Sequence, residues 1–182
     1  MTSGGYVPPA VTPSPAPPVP DLYIVNVEAI AAEVAPQLNP KNRRDVSPRA
    51  VIDPGVMVNL GFVANANVTR SCTNAAPYRV FNGQLFEIAT GMALSVNIGV
   101  PFINFTMGAQ GSISTRFEIV DDVLRWYNPQ FFGGEAGFCV IGSAIFATFT
   151  SSGRPANCVT VMLVLIRRKC SKSTLCLARE LY

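Results

Sequence analysis

"YRVFNGQLFEI", residues 78–88, sets two short apolar and aromatic runs on either side of Asn82-Gly83. An Asn-Gly pair readily takes positive φ at both central positions of a two-residue turn, and that turn matches the twist of two antiparallel strands. The stretch therefore predicts a β-hairpin. "FEIVDDVLRW" (117–126) repeats the shape with Asp121-Asp122 at the turn, a pair that accepts positive φ less readily. Further β-rich runs follow the same spacing: "VMVNLGFVA" (56–64), "MALSVNI" (92–98), "FINFTM" (102–107), "SISTRFEIV" (112–120), "GFCVIGSAIFATFT" (137–150) and "CVTVMLVLI" (158–166). Turn signals such as "FFGG" (131–134) and "SSGRPAN" (151–157) separate them, and helical periodicity is nowhere sustained. The expected fold is all-β, a compact antiparallel β-sandwich or small barrel over residues 56–166.

Outside that span the chain changes character. Residues 1–20 hold seven prolines and no charge, the composition of a disordered, polyproline-prone linker or a Ser/Thr-glycosylated stalk. Residues 21–55 form a transitional segment. "LYIVNV" (22–27) has strand character, and "NVEAIAAEVAPQL" (26–38) has a short helical look with Ile30 and Val34 four apart, cut by Pro36. "NPKNRRDVSPRAVIDPG" (39–55) reads as a loop, and its Arg43-Arg44 pair reads as solvated loop more readily than as a processing site. Residues 167–182 form a basic tail. Five of the fourteen Lys/Arg and one of the eleven Asp/Glu lie there, so residues 1–166 carry nine basic against ten acidic groups, a balance of −1. The excess of basic charge is a property of the tail, and no basic face predicts nucleic-acid binding.

The chemistry available is narrow. Only 14% of residues are charged, against about 25% in an average soluble protein. There is no histidine, which removes Ser-His and Cys-His nucleophilic pairs and the commonest metal ligand. A structural zinc would need four of the five cysteines, at 72, 139, 158, 170 and 176, and none forms a CxxC. No cofactor or metal site is expected. No apolar stretch reaches the ~20 residues of a membrane span. Residues 1–20 lack the basic start and apolar core of a signal peptide, so a secreted protein would have to be longer than this chain.

The cysteines fit disulfides in an oxidising compartment better than catalysis. Cys139 and Cys158 flank a plausible hairpin whose ends meet, and a bridge there closes a loop worth on the order of 3 kcal/mol. The alternative is buried free thiols. Cys72 would then look to Cys170 or Cys176. Asp121-Asp122, near Glu118, are the only clustered carboxylates, but a turn places them in solvent rather than across a cleft. "MGAQGS" (107–112) lacks the lysine of a phosphate loop and reads as a turn. Asn67-Val68-Thr69 and Asn104-Phe105-Thr106 are glycosylation sequons, about as many as this composition produces by chance. Asn67 is the better acceptor, because Asn104 falls within an expected strand.

"DVLRWYNPQFFGGEAGFC" (122–139) concentrates the aromatic residues and holds the single tryptophan. Strand alternation puts Leu124 and Trp126 on the core face and Tyr127 on the other. Asn128-Pro129 ends the strand, Gly133-Gly134 turns the chain, and Phe138 begins the next strand in the core. Tyr127 and Phe131 are left on the outer side as the residues open to a ligand.

Several of these motifs together resemble an uncharacterised domain of filamentous fungi, found in secreted or cell-surface proteins rich in Ser, Thr and Pro. The resemblance rests on Asn82, Gly83 and Leu85; on Ile113, Ser114, Thr115 and Phe117; and on Leu124 and Trp126. It continues through Phe132, Gly133, Gly134, Ala136, Phe138 and Cys139, and ends at Cys158. It covers residues 56–166, with Asp121-Asp122 standing where that family often has Asn-Gly, and Tyr127 intruding before Asn128. The resemblance implies an extracellular setting and no chemistry. The expected function is a non-enzymatic, structural or adhesive module of the cell wall or extracellular space, with cell-wall polysaccharide or a surface protein as partner. The alternative is a carbohydrate-binding module using exposed aromatics.

Overall fold

The computed structural model describes residues 21–30 and 56–168. The Pro-rich linker, the Arg43-Arg44 pair, Cys170, Cys176 and most of the basic tail lie outside the described residues. The described chain is all-β. Its strands are β1 (Tyr23–Ile30), β2 (Met57–Ala64), β3 (Asn67–Thr69), β4 (Pro77–Phe81), β5 (Gln84–Glu87), β6 (Phe102–Asn104), β7 (Phe117–Val120), β8 (Val123–Trp126), β9 (Gly137–Ile141), β10 (Ala144–Thr148) and β11 (Val159–Arg167). Every pairing between them is antiparallel.

Six of these strands close a barrel in the order β1-β2-β3-β10-β9-β11, with β11 pairing back onto β1 from Tyr23↔Arg167 to Ala29↔Val161. Closure removes the open edges that invite aggregation. Three barrel strands divide an edge between two partners. β1 pairs with β4 through Tyr23 and Ile24, then with β2 from Asn26 onward. β11 pairs with β9 through Val159–Val161 and with β8 at Val164. β10 pairs with β3 at Ala144 and with β6 from Phe146 to Thr148. The β4–β5 and β7–β8 hairpins thus splay outward from the barrel, carrying the core with them.

That core is one cluster. Val25, Val27 and Ala29 of β1, Leu163 and Leu165 of β11, Ile145 and Ala147 of β10, and Tyr78, Leu85 and Trp126 of the hairpins all pack into it. A smaller cluster of Ile24, Phe62 and Ala75, with Cys72 and Ile166 against it, covers the outer side of β1.

The tight connections follow local backbone chemistry. Asn82 and Gly83 both have positive φ (50° and 72°), as do Asp121 and Asp122 (50° and 63°) and Asn65 and Ala66 (47° and 63°). Asp122 holds the position where glycine carries no steric cost. Asp122→Gly is expected to stabilise the fold by about 0.5–1 kcal/mol. The turn's tether, Leu165 N–H to the Asp122 carbonyl at 2.7 Å, is a backbone bond and survives the change. A urea midpoint that falls in this variant would contradict the turn's strain. Gly61 meets a different requirement: at φ +131° a Cβ would sit 2.4 Å from the Thr69 carbonyl oxygen, beside the register shift between Val27 and Glu28.

Three expectations are corrected. The domain begins before residue 56, because β1 is a central strand with partners on both edges. Asn26–Ile30 is strand rather than the start of a helix, since burial on both faces, Val27 inward and Asn26 outward, favours an extended chain between neighbours. "MALSVNI" forms no strand. It runs back along the outer edge of β5, bridged at Phe86↔Ala93 with the Leu94 N–H donating to the Leu85 carbonyl at 3.0 Å, and then bridges Ile113 through Val96.

Candidate ligand-binding surface

The aromatic corner is mostly core. Trp126 has no exposed surface, and its ring stacks on Phe117 at 4.4 Å between centroids. Phe131 and Phe149 meet it edge-on, each at 5.3 Å. Its Nε1–H donates to the Thr115 carbonyl at 3.1 Å, so the one polar atom of the ring is satisfied. Phe138 is likewise buried, against Phe105.

The two residues expected on the outer side separate. Tyr127 is half-buried just beyond β8, bridged to Glu135, and Arg125 pairs with the Glu135 carboxylate at 2.8 Å beside it. Phe131 is buried (5% exposed), packed on Phe149 at 4.6 Å, and presents no ring to a ligand. Alternation stops at Asn128-Pro129, and from there the path is set by a 3-10 turn at Phe132–Gly134. Gly133 and Gly134 have φ of 70° and 81° in that turn. Its geometry folds Phe131 in and swings Phe132 out, to 69% exposure.

The other expected sites lie apart from this corner. Cys139 and Cys158 form the disulfide, with Cα atoms 5.4 Å apart, joining β9 to the residue that precedes β11. Cys72 lies in a 3-10 turn (Cys72–Asn74), half-buried, and the cysteines expected to pair with it are outside the described residues. Asn67 begins β3 and Asn104 ends β6, both with exposed side chains. Asp121 and Asp122 are exposed in their turn. Among the described residues no three His, Cys, Asp or Glu side chains gather as metal ligands, and no helix is long and apolar enough to cross a membrane.

The best-built surface lies on the β4–β5 hairpin. Its outer face carries Arg79, Phe81, Gln84 and Phe86, set by the register Arg79↔Phe86 and Phe81↔Gln84. The Arg79 guanidinium lies 5.4 Å from the Phe81 ring centroid and 5.5 Å from that of Phe86. Phe81 is half exposed, and the buried Arg79 Nε has no hydrogen-bond partner. The bridge from Phe86 to Ala93 continues this face into an open groove of about 500 Å³. Met92, Ala93, Ser95 and Ser114 line it, with residues 108–111 as its far wall. The Ser95 hydroxyl holds that wall in place, donating to the Ala109 carbonyl and accepting from the Gly111 N–H at 2.9 Å. Gly111 has no room for a Cβ there, since one would come within 2.5 Å of the Val96 backbone. A planar cation beside two rings and a mainly apolar groove can stack on sugar or aromatic faces and donate hydrogen bonds. Sequence reasoning passed over this face. The signal was present, because a two-residue Asn-Gly turn at 82–83 obliges Arg79 to face Phe86.

The inner face of the same hairpin is buried. Tyr78 and Glu87 sit opposite one another in register, both buried, with Thr90 Oγ1 donating to the Glu87 carboxylate at 3.0 Å. Burial pushes the Tyr78 phenol well above its ordinary range, and the nearby Glu87 charge adds to the shift. A phenol that ionises more readily unfolded than folded stabilises the fold below the unfolded pKa, about 10, and that contribution drains away as pH rises beyond it. Urea midpoints of the wild type are therefore expected to fall above about pH 10, and Tyr78→Phe should flatten that decline. Equal slopes for the two proteins would place the alkaline loss elsewhere.

Comparison with known proteins bears on the same span. A family model described as a domain of unknown function, DUF7908, matches residues 57–169. The chain belongs to the DUF7908 family. No curated protein and no solved structure matches it. The DUF7908 match takes in the disulfide, the aromatic corner and the β4–β5 face, and it begins at the first residue of β2. β1 lies outside the DUF7908 match, although the barrel closes through it.

Proposed function

We propose that this DUF7908 protein is a non-enzymatic module of the extracellular or cell-wall space, structural or adhesive in role. One observation carries the reading: the disulfide between Cys139 and Cys158, both buried, braces two adjacent barrel strands. Such a bridge persists in oxidising compartments and is rare where thiols are kept reduced. The Pro-, Ser- and Thr-containing composition of residues 1–20, and the resemblance of the domain's motifs to those of fungal surface proteins, support a wall-associated protein. Asn67 and Asn104 present exposed side chains, as glycosylation acceptors must.

A second reading, a carbohydrate-binding module, is favoured by the Phe81–Arg79–Phe86 arrangement and its adjoining groove. Its aromatic platform would be that face, with Phe132 and Tyr127 as a separate, smaller one. Depletion of purified protein by insoluble chitin and β-glucan separates the readings. Under the second, Phe81→Ala with Phe86→Ala lowers retention about tenfold or more, while circular dichroism stays unchanged. Under the first, polysaccharide retention is independent of these rings. Turnover in a screen of glycosyl and ester substrates would overturn both.

A further inference from the structure

The strand that closes the barrel comes from outside the family domain. β1 fills a slot bounded on one side by β11, through seven consecutive register pairs, and on the other by β4 and then β2. Val25, Val27 and Ala29 point inward from it and are fully buried. Without β1 the matched span, residues 57–169, would leave open the edges of β11 and β2 and uncover Leu163 and Val63. That span is thus an acceptor for one extended, alternating apolar strand, a recognition mode that uses backbone hydrogen bonds for affinity and alternate side chains for selectivity.

We propose that this slot is a strand-binding site and that its second occupant is β1 of another copy of the chain. A donated β1 makes the same contacts as the chain's own, because sequence and register are identical. The two arrangements therefore differ in tether entropy. Ile30 pairs directly with Met57, yet residues 31–56 join them, so a connection far longer than a hairpin turn supplies β1 in cis. A tether presents its strand at an effective concentration of about millimolar or lower, and a longer one presents less. Copies crowded to that level exchange strands and form reciprocal dimers, while dilute copies close on themselves.

The test removes the cis route. In the chain lacking residues 31–56, Ile30 continues straight into Met57 and β1 cannot turn back into its own slot. The expected product is a dimer of twice the monomer mass, with strand content preserved and Trp126 emission as blue-shifted as in the wild type. A folded monomer would overturn the proposal. Because the deletion can also abolish folding, full-length chains supply a second measurement. Asn26→Cys and Val164→Cys, facing each other in register across β1 and β11, are placed in separate chains, which are refolded together at high concentration and oxidised. A dimer linked through positions 26 and 164, identified by mass spectrometry of the joined peptides, is the expected result. Monomers alone, at every concentration up to millimolar, would overturn the proposal whatever the deletion variant does.

Discussion

Trp126→Ala is expected to cost about 4 kcal/mol, a large share of the roughly 5–15 kcal/mol that holds a domain folded. The indole is completely buried, stacked on Phe117 and flanked by Phe131 and Phe149, so its removal leaves a cavity bordered by three rings. It also strands the Thr115 carbonyl, which accepts the Nε1–H. Urea denaturation followed by far-UV circular dichroism reads the loss. Tyr127→Ala, one residue on and half-buried, should shift the midpoint by a small fraction of that amount. If the two variants moved together, the partition of this corner into core and surface would be wrong.

Reducing the Cys139–Cys158 bridge should cost about 3 kcal/mol, or on the order of 10 °C in melting temperature. The bond spans 19 positions, and both sulfurs are buried. Its effect falls mainly on the unfolded chain, whose loop it closes. The β9–β11 ladder, Val159↔Val140 through Val161↔Phe138, holds the same strands together in the folded state without it. Calorimetry of the wild type with and without reductant measures the difference while leaving the core's composition untouched. Paired melts that coincide would mean that the bridge does not constrain the unfolded chain.

Much of this architecture was legible residue by residue, and the misses have physical causes. Turns are local: Asn82-Gly83 and Asp121-Asp122 each carry their own backbone preference, so the two hairpins they close could be read directly, whereas the turn at Gly142 was hidden inside residues 137–150, which read as one run. Trp126 and Phe138 followed from strand alternation, which holds as long as the chain stays extended. It failed at Phe131, past Asn128-Pro129, where two glycines with positive φ and not a two-residue period decide which ring turns inward. β1 was obscured because a strand buried on both faces loses its alternation, and Ile30 and Val34 imitate a helix. β3 is only three residues long, and it exists because β2 and β10 lie on either side of it. The Phe81–Arg79–Phe86 face needed the register of the hairpin, a step beyond recognising the hairpin itself.

Pairing β1 with β11 joins the first described strand to the last, and that has a price in time. The contacts that shut the barrel link residues 23–29 to 161–167, nearly the whole length of the domain. Folding rates fall as contacting residues grow more distant along the chain, so closure should be the slow step. During synthesis, at roughly 5–20 residues per second, β1 emerges many seconds before the strand it needs. Until β11 leaves the ribosome, the apolar row of Val25, Val27 and Ala29 has no lasting partner on that side. The nascent protein is thus most vulnerable to aggregation just before β11 appears, and a chaperone that shields an extended apolar segment would act in that interval.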